Sequence, residues 1–144
     1  MATDYEIYER KVAKINKEND VYLDKFTKWL EKQNLVSKTI KKHVHNVDFY
    51  INTYLCCYEP QTIDVGCYSI DRFLGDWFIR KALWSSVANI KSNASSIKKF
   101  YLFILEEGKI TKEDYKYLCS EIKELMPEWL EEMEAHDNMV YEDW

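Results

Sequence analysis

Apolar positions recur along most of this chain at gaps of three and four, the period of one face of an α-helix. The first stripe, within about Asp4 to Gln33, is Tyr5, Tyr8, Val12, Ile15, Asn19, Tyr22, Phe26 and Trp29. Two arrangements fit it. One is a single long helix with Asn19 set in an apolar seam. The other is a pair of helices broken near Asn19-Asp20, with either residue capping the second. The near-heptad spacing also permits a coiled-coil contact in which Asn19 sets the register. Packing onto the chain's own bundle is the simpler use of the stripe.

A second helix is expected to begin at Ser37, whose hydroxyl suits the N-cap role. It buries Ile40, Val44, Val47, Ile51 and Tyr54 and ends by Leu55. Cys56 to Cys67, with Pro60 and Gly66, reads as a connecting loop. A third helix starts with Ser69 as cap, shows Ile70, Phe73, Leu74, Trp77 and Phe78 on one face, and ends near Trp84-Ser85-Ser86. Gly75 inside it costs about 1 kcal/mol relative to alanine, which a close helix contact would explain. The fourth helix is expected over about Ser92 to Glu107, stopped by Gly108 in a left-handed conformation. A fifth starts at Thr111, with Asp114 three residues on, and carries Tyr115, Leu118, Ile122 and Leu125. Pro127 should break or restart it. Glu128 to Ala135 then makes a short acidic helix, followed by a loose tail to Trp144.

No alternating pattern competes, and glycine and proline are scarce, at 3 and 2 residues. The expected fold is all-α, a single-domain bundle of about five to six helices. A chain of this length buries roughly 70% of its unfolded surface, enough for its own core. No apolar run reaches the roughly 20 residues that span a bilayer. The opening residues, Met1 to Glu6, lack a basic flank and apolar stretch, so a cytoplasmic protein with no membrane partner is expected. The four cysteines, Cys56, Cys57, Cys67 and Cys119, have neither zinc-knuckle spacing nor a secretory context, and read as reduced, mostly buried thiols.

Charge changes the picture. The net charge of -5 divides into +4 over residues 1–112 and -9 over residues 113–144. Within the basic part, Lys38, Lys41, Lys42 and His45 follow the helical rhythm on a face away from the apolar stripe. Lys91, Ser92, Ser95, Lys98 and Lys99 make a second polar and basic face near the expected start of the fourth helix. A lysine stripe of this kind is often just a solvated face. It also has the chemistry to neutralise phosphates, with hydroxyls bonding phosphate oxygens. Catalytic and metal chemistry finds no comparable pattern. His43 and His45 point about 200° apart on a helix and cannot share a metal. His136, with Glu132 and Asp137 nearby, reads as a surface histidine. Phosphate loops, nucleophile elbows and zincin motifs are missing, so neither cofactor nor metal is expected.

Residues 22–110 resemble the N-terminal SAM-like, or core-binding, domain of tyrosine recombinases and phage integrases. Leu23 to Leu30 is similar to the first family helix. Leu35-Val36-Ser37-Lys38-Thr39-Ile40-Lys41-Lys42-His43 resembles the family's helix entry, with His43 where tyrosine is common. Ser95 to Ile104, leading into Phe100-Tyr101 and closed by Gly108, resembles a later family helix. The resemblance implies an N-terminal helical extension over 1–20 and a core-binding-like domain over 21–110. C-terminal helices over 111–135 and a tail over 136–144 would follow. It also implies that the second and fourth helices approach duplex DNA. Carried over by position, the contacts are Lys38, Lys41, Lys42, His45, Lys91, Ser92, Ser95, Lys98 and Lys99. The chain departs from the family in lacking the catalytic half, with its paired arginines and tyrosine nucleophile. Tyr141 lies near the end, but no arginine follows Arg80.

The expectation is therefore a non-catalytic DNA-binding module, an accessory or remnant of a mobile element. Its arginines, Arg10, Arg72 and Arg80, lie off the basic faces, so binding should be weak and tolerant of sequence. The competing expectation is a helical interaction module that binds itself or a protein partner through the Tyr5–Trp29 stripe or the acidic C-terminal segment.

Overall fold

The structure, a computed structural model, describes residues 1–142, with side chains through Met139. It is all-α, with no strand among the described residues. Contacts divide the chain into two compact units, residues 1–66 and 67–144.

The first unit is built on α1 (Asp4–Glu31) and α2 (Ser37–Asp48), the latter extended by a π-helical segment, Phe49–Tyr54. Thr3 caps α1, its Oγ1 accepting from the Glu6 N–H at 3.1 Å. Asp4 and Glu6 place negative charge at the positive end of the helix dipole. The helix runs unbroken through Asn19-Asp20, so the expected extension over 1–20 and the start of the next segment are one element. Its buried residues, Ile15, Asn19, Leu23, Phe26 and Leu30, follow helical spacing.

Asn19 shows why no break forms. It is 2% exposed, and its Nδ2 donates to the Ile51 carbonyl at 3.3 Å and to Asn52 Oδ1 at 2.8 Å. A buried amide with partners needs no helix end to satisfy it. Those partners exist because the chain leaves α-helical geometry after Asp48. In the wider turn the Leu55 N–H bonds back to the Tyr50 carbonyl, five residues earlier. This turns both Tyr50 and Ile51 inward, each 0% exposed. The following loop is tied at two points. The Tyr8 hydroxyl donates to the Cys56 carbonyl, and the Tyr50 hydroxyl donates to the Gly66 carbonyl at 2.5 Å.

Ser37 is not the cap of α2. Val36 holds the extended capping conformation, with φ -70° and ψ 152°. Ser37 is already the first helical residue, so the helix starts without a side-chain cap.

The second unit contains a continuous rod of α3 (Ile70–Arg72), a π-helical segment (Phe73–Trp77) and α4 (Phe78–Lys81), then α5 (Val87–Glu106) and α6 (Lys112–Glu142). Its core includes Phe73, Leu74, Phe78, Ile90, Ile97, Phe100, Tyr101, Ile104, Leu118 and Trp129. Gly75 sits against Trp129: a Cβ there would fall 2.7 Å from Trp129 Cδ1. This is the close helix contact that the sequence called for.

Three boundaries in this unit carry information. First, α5 begins five residues before Ser92, because Ser86 Oγ accepts from the Asn89 N–H at 3.0 Å and caps it there. Second, Gly108 has φ +78°, the left-handed stop expected of it. Third, Thr111 and Asp114 form a reciprocal capping box at 3.1 and 2.9 Å. The predicted break at Pro127 does not occur. Trp129 and Met133, each 1% exposed, anchor the helix beyond the proline. The loss of one backbone bond is outweighed by that burial, and the expected short acidic helix is the later part of α6. Of the predicted tail, residues 136–142 are helical, and 143–144 lie outside the described residues.

Candidate nucleic-acid interface

Each unit carries one of the predicted basic faces. On α2, Ile40 and Val47 fix which side faces inward. At about 100° per residue, Lys38, Lys41, Lys42 and His45 fall within an arc of about 100° on the opposite side. All four are exposed. Among the described residues no carboxylate forms an ion pair with any of them, so the charges of the three lysines face water.

The face is not uniformly positive. Lys41 and His45 border an open cleft of about 390 Å³ that also includes Asp20 and Asp48, with Leu23, Ile40 and Val44 as its apolar lining. Asp48 Oδ1 accepts from Asn52 Nδ2 at 2.6 Å, which keeps that carboxylate beside the cleft. Lys38 and Lys42 lie outside this lining, and the acids offset them less. Sequence reading missed the cleft because Asp20 and Leu23 belong to a different helix. The alternation of Asp20, Leu23 and Thr27 on α1 was the only signal.

On α5, Lys91, Ser95 and Lys98 are exposed, and Ser92 and Lys99 are half-buried. They occupy an arc of about 120°, opposite the buried Ile90, Ile97, Phe100 and Ile104. Because the helix starts at Val87, these residues lie in its body and not at its start. The free N–H groups of the first turn belong to residues near Ser86–Asn89, and Ser86 already engages the Asn89 N–H. Phosphate contact through this face therefore rests on side chains and not on a helix terminus.

The acidic segment does not neutralise these lysines by ion pairing. Glu128, Glu131, Glu132 and Glu134 are exposed along α6, and among the described residues none pairs with Lys91, Lys98 or Lys99. Arg80 is engaged with Asp76 through both Nε and Nη2, each at 2.8 Å.

The Tyr5–Trp29 stripe is largely used within the first unit. Ile15, Asn19 and Phe26 are buried, and Tyr8 is bonded to Cys56. Tyr5, 67% exposed, is the stripe residue left facing water. Asn19, the candidate register residue for a coiled coil, is already bonded within its own unit.

The remaining candidate chemistry is quiet. None of the four cysteines forms a disulfide among the described residues. Burial pushes the Cys56 and Cys57 thiols up, away from the thiolate form that a nucleophile or metal ligand needs. Among the described residues no group of three or more His, Cys, Asp or Glu side chains is arranged to hold a metal. No helix among them is long and apolar enough to cross a membrane. The Tyr141 side chain lies outside the described residues. Compared with protein-family models, curated proteins and solved structures, the chain matches none.

Proposed function

We propose that this chain is a non-catalytic module that holds duplex DNA through its phosphates, with a SAM-like, integrase core-binding character. The observation that carries the reading is the arc of Lys38, Lys41, Lys42 and His45. These residues are exposed, lie on one face, and have no carboxylate ion-pair partner among the described residues. The Lys91, Ser95 and Lys98 face supports it with the same chemistry. Lysines release counterions from phosphates, and serine hydroxyls bond their oxygens. Neither face offers arginine, so contact is to the backbone and recognition of base edges is weak.

The test is duplex affinity as a function of salt. If all six lysines of the two faces contact phosphates, log K falls with log salt at a slope of about -5. Lys41→Glu/Lys42→Glu should weaken binding and flatten that slope by about 2. Absent binding, or binding that ignores both salt and this substitution, overturns the proposal.

A further inference from the structure

Between α4 and α5 the chain makes a short turn that holds two apolar side chains outward. Ala82 is buried, but Leu83 is 99% exposed and Trp84 is 48% exposed. The turn is firmly built. The Ser85 N–H donates to the Ala82 carbonyl at 3.1 Å, and Ser85 Oγ donates to the Ile79 carbonyl at 3.2 Å. Asn89 Nδ2 donates to the Trp84 carbonyl at 2.5 Å, and Ser86 Oγ caps α5. The Trp84 ring stands edge-on to buried Phe78, with centroids 6.4 Å apart and planes at 78°.

A lone exposed leucine on a surface needs no explanation. Here the leucine is wholly in water at the tip of a turn that four hydrogen bonds and an aromatic contact hold in place. Binding through it would require little further ordering of the backbone. Its surroundings are basic. Lys81 ends α4, and Lys91 opens the exposed arc of α5. From Lys91 to Lys99 that arc extends about 12 Å along the helix, the axial rise of three to four phosphates on one strand.

We infer that Leu83 is a wedge that enters between stacked base pairs of duplex DNA, with Trp84 beside it and the α5 lysines on the flanking phosphates. This rests on the DNA-binding reading above and deepens it. Apolar wedges unstack a base step and bend the duplex towards more protein contact. Pyrimidine–purine steps kink most easily, so the wedge confers a preference for them without any arginine on a base edge. A lipid surface is the rival occupant for an apolar tip near lysines. Duplex DNA is favoured because Ser92 and Ser95 lie between Lys91 and the Lys98–Lys99 pair along one helix, so hydroxyls and charges are spread over a length that suits successive phosphates on a strand.

The experiment titrates the full-length protein and Leu83→Ser with two duplexes of equal length, one rich in TA steps and one an A-tract. 2-Aminopurine placed beside the TA steps reports unstacking, and phosphatidylglycerol vesicles are titrated in parallel. The wild type should favour the TA-rich duplex by about three- to tenfold and raise the 2-aminopurine signal. Leu83→Ser should lose both effects, keep its salt dependence and unfold at the same temperature. A Leu83→Ser protein that retains the preference and the signal overturns the wedge alone. Dependence on Leu83 for vesicles and not for DNA also overturns it, in favour of a lipid surface. A wild type that binds no duplex overturns both the wedge and the DNA-binding reading.

Discussion

Trp129 donates its indole N–H to Asp71 Oδ1 at 2.8 Å, and its ring covers Gly75 so closely that a Cβ there would sit 2.7 Å from Cδ1. The pair docks α6 on the rod formed by α3, its π-helical segment and α4. Gly75→Ala should therefore destabilise the protein by about 1–3 kcal/mol, because the buried indole has nowhere to move. Helix propensity alone predicts the opposite sign, a gain of about 1 kcal/mol. Urea denaturation separates the two, and a stabilised Gly75→Ala protein would show that the ring gives way.

Asn19 offers a second test of packing against pattern. Its Nδ2 serves the Ile51 carbonyl and Asn52 Oδ1, so Asn19→Leu removes the donor and leaves polar acceptors facing an apolar side chain. The expected cost is about 1–3 kcal/mol. If Asn19 instead specified a coiled coil, the leucine would strengthen association. Light scattering across a range of concentrations should find the same mass for both proteins, with the variant melting at lower temperature.

These two residues also show how far the pattern of the chain reaches. Periodicity was enough to place α1, α2 and α5 and most of their buried faces, because a helix repeats its demand every three or four residues. It could not show that Asn19 has partners 32 and 33 residues away, since a hydrogen bond across helices leaves no periodic trace. Capping was legible where the box was reciprocal, as at Thr111 and Asp114. It was misplaced where serines are plentiful, at Ser37 against Val36 and at Ser92 against Ser86. Pro127 misled because its local cost is large and the compensating burial of Trp129 comes from another element. The lysine arc of α2 was legible in its helical rhythm, but the α5 face was set at a helix start that lies five residues earlier. The acids beside Lys41 were not legible, because Asp20 lies on another helix.

Tyr68 and Asp114 set a pH dependence at both ends of the range. The Tyr68 hydroxyl donates to Asp114 Oδ1, and this bond to the carboxylate pushes the phenol up to about 12. The Thr111 backbone N–H, and then the Tyr68 hydroxyl, hold the Asp114 carboxyl below its ordinary range. A depressed carboxyl contributes stability above the unfolded value of about 4 and loses it as pH falls through its own lower value. A raised phenol contributes below about 10 and loses its contribution as pH climbs from there towards 12. Tyr68→Phe should remove this pair's share of the alkaline loss, beside that of the raised Tyr115 and Tyr117 phenols, and part of the acid loss, leaving a flatter profile. Both groups face solvent, so the effect is small and is best read as a difference in urea midpoint at pH 3, 7 and 11. Identical profiles for the two proteins would mean that the pair does not persist in solution.

The acidic face of α6 should oppose the binding that the lysines favour. Glu128, Glu131 and Glu132 are exposed, and no lysine among the described residues forms an ion pair with them, so their field is cut only by solvent and salt. Replacing all three with glutamine keeps good helix formers in place and leaves the buried Trp129 and Met133 untouched. Stability should hold while duplex affinity rises about two- to fivefold at low salt, with the gain fading as ionic strength shortens the screening length. Fluorescence anisotropy at two salt concentrations measures this directly. A gain that persisted at high salt would point to a specific contact made by the glutamines. Weaker binding would mean that α6 helps to hold the ligand, contrary to the phosphate reading of the basic faces.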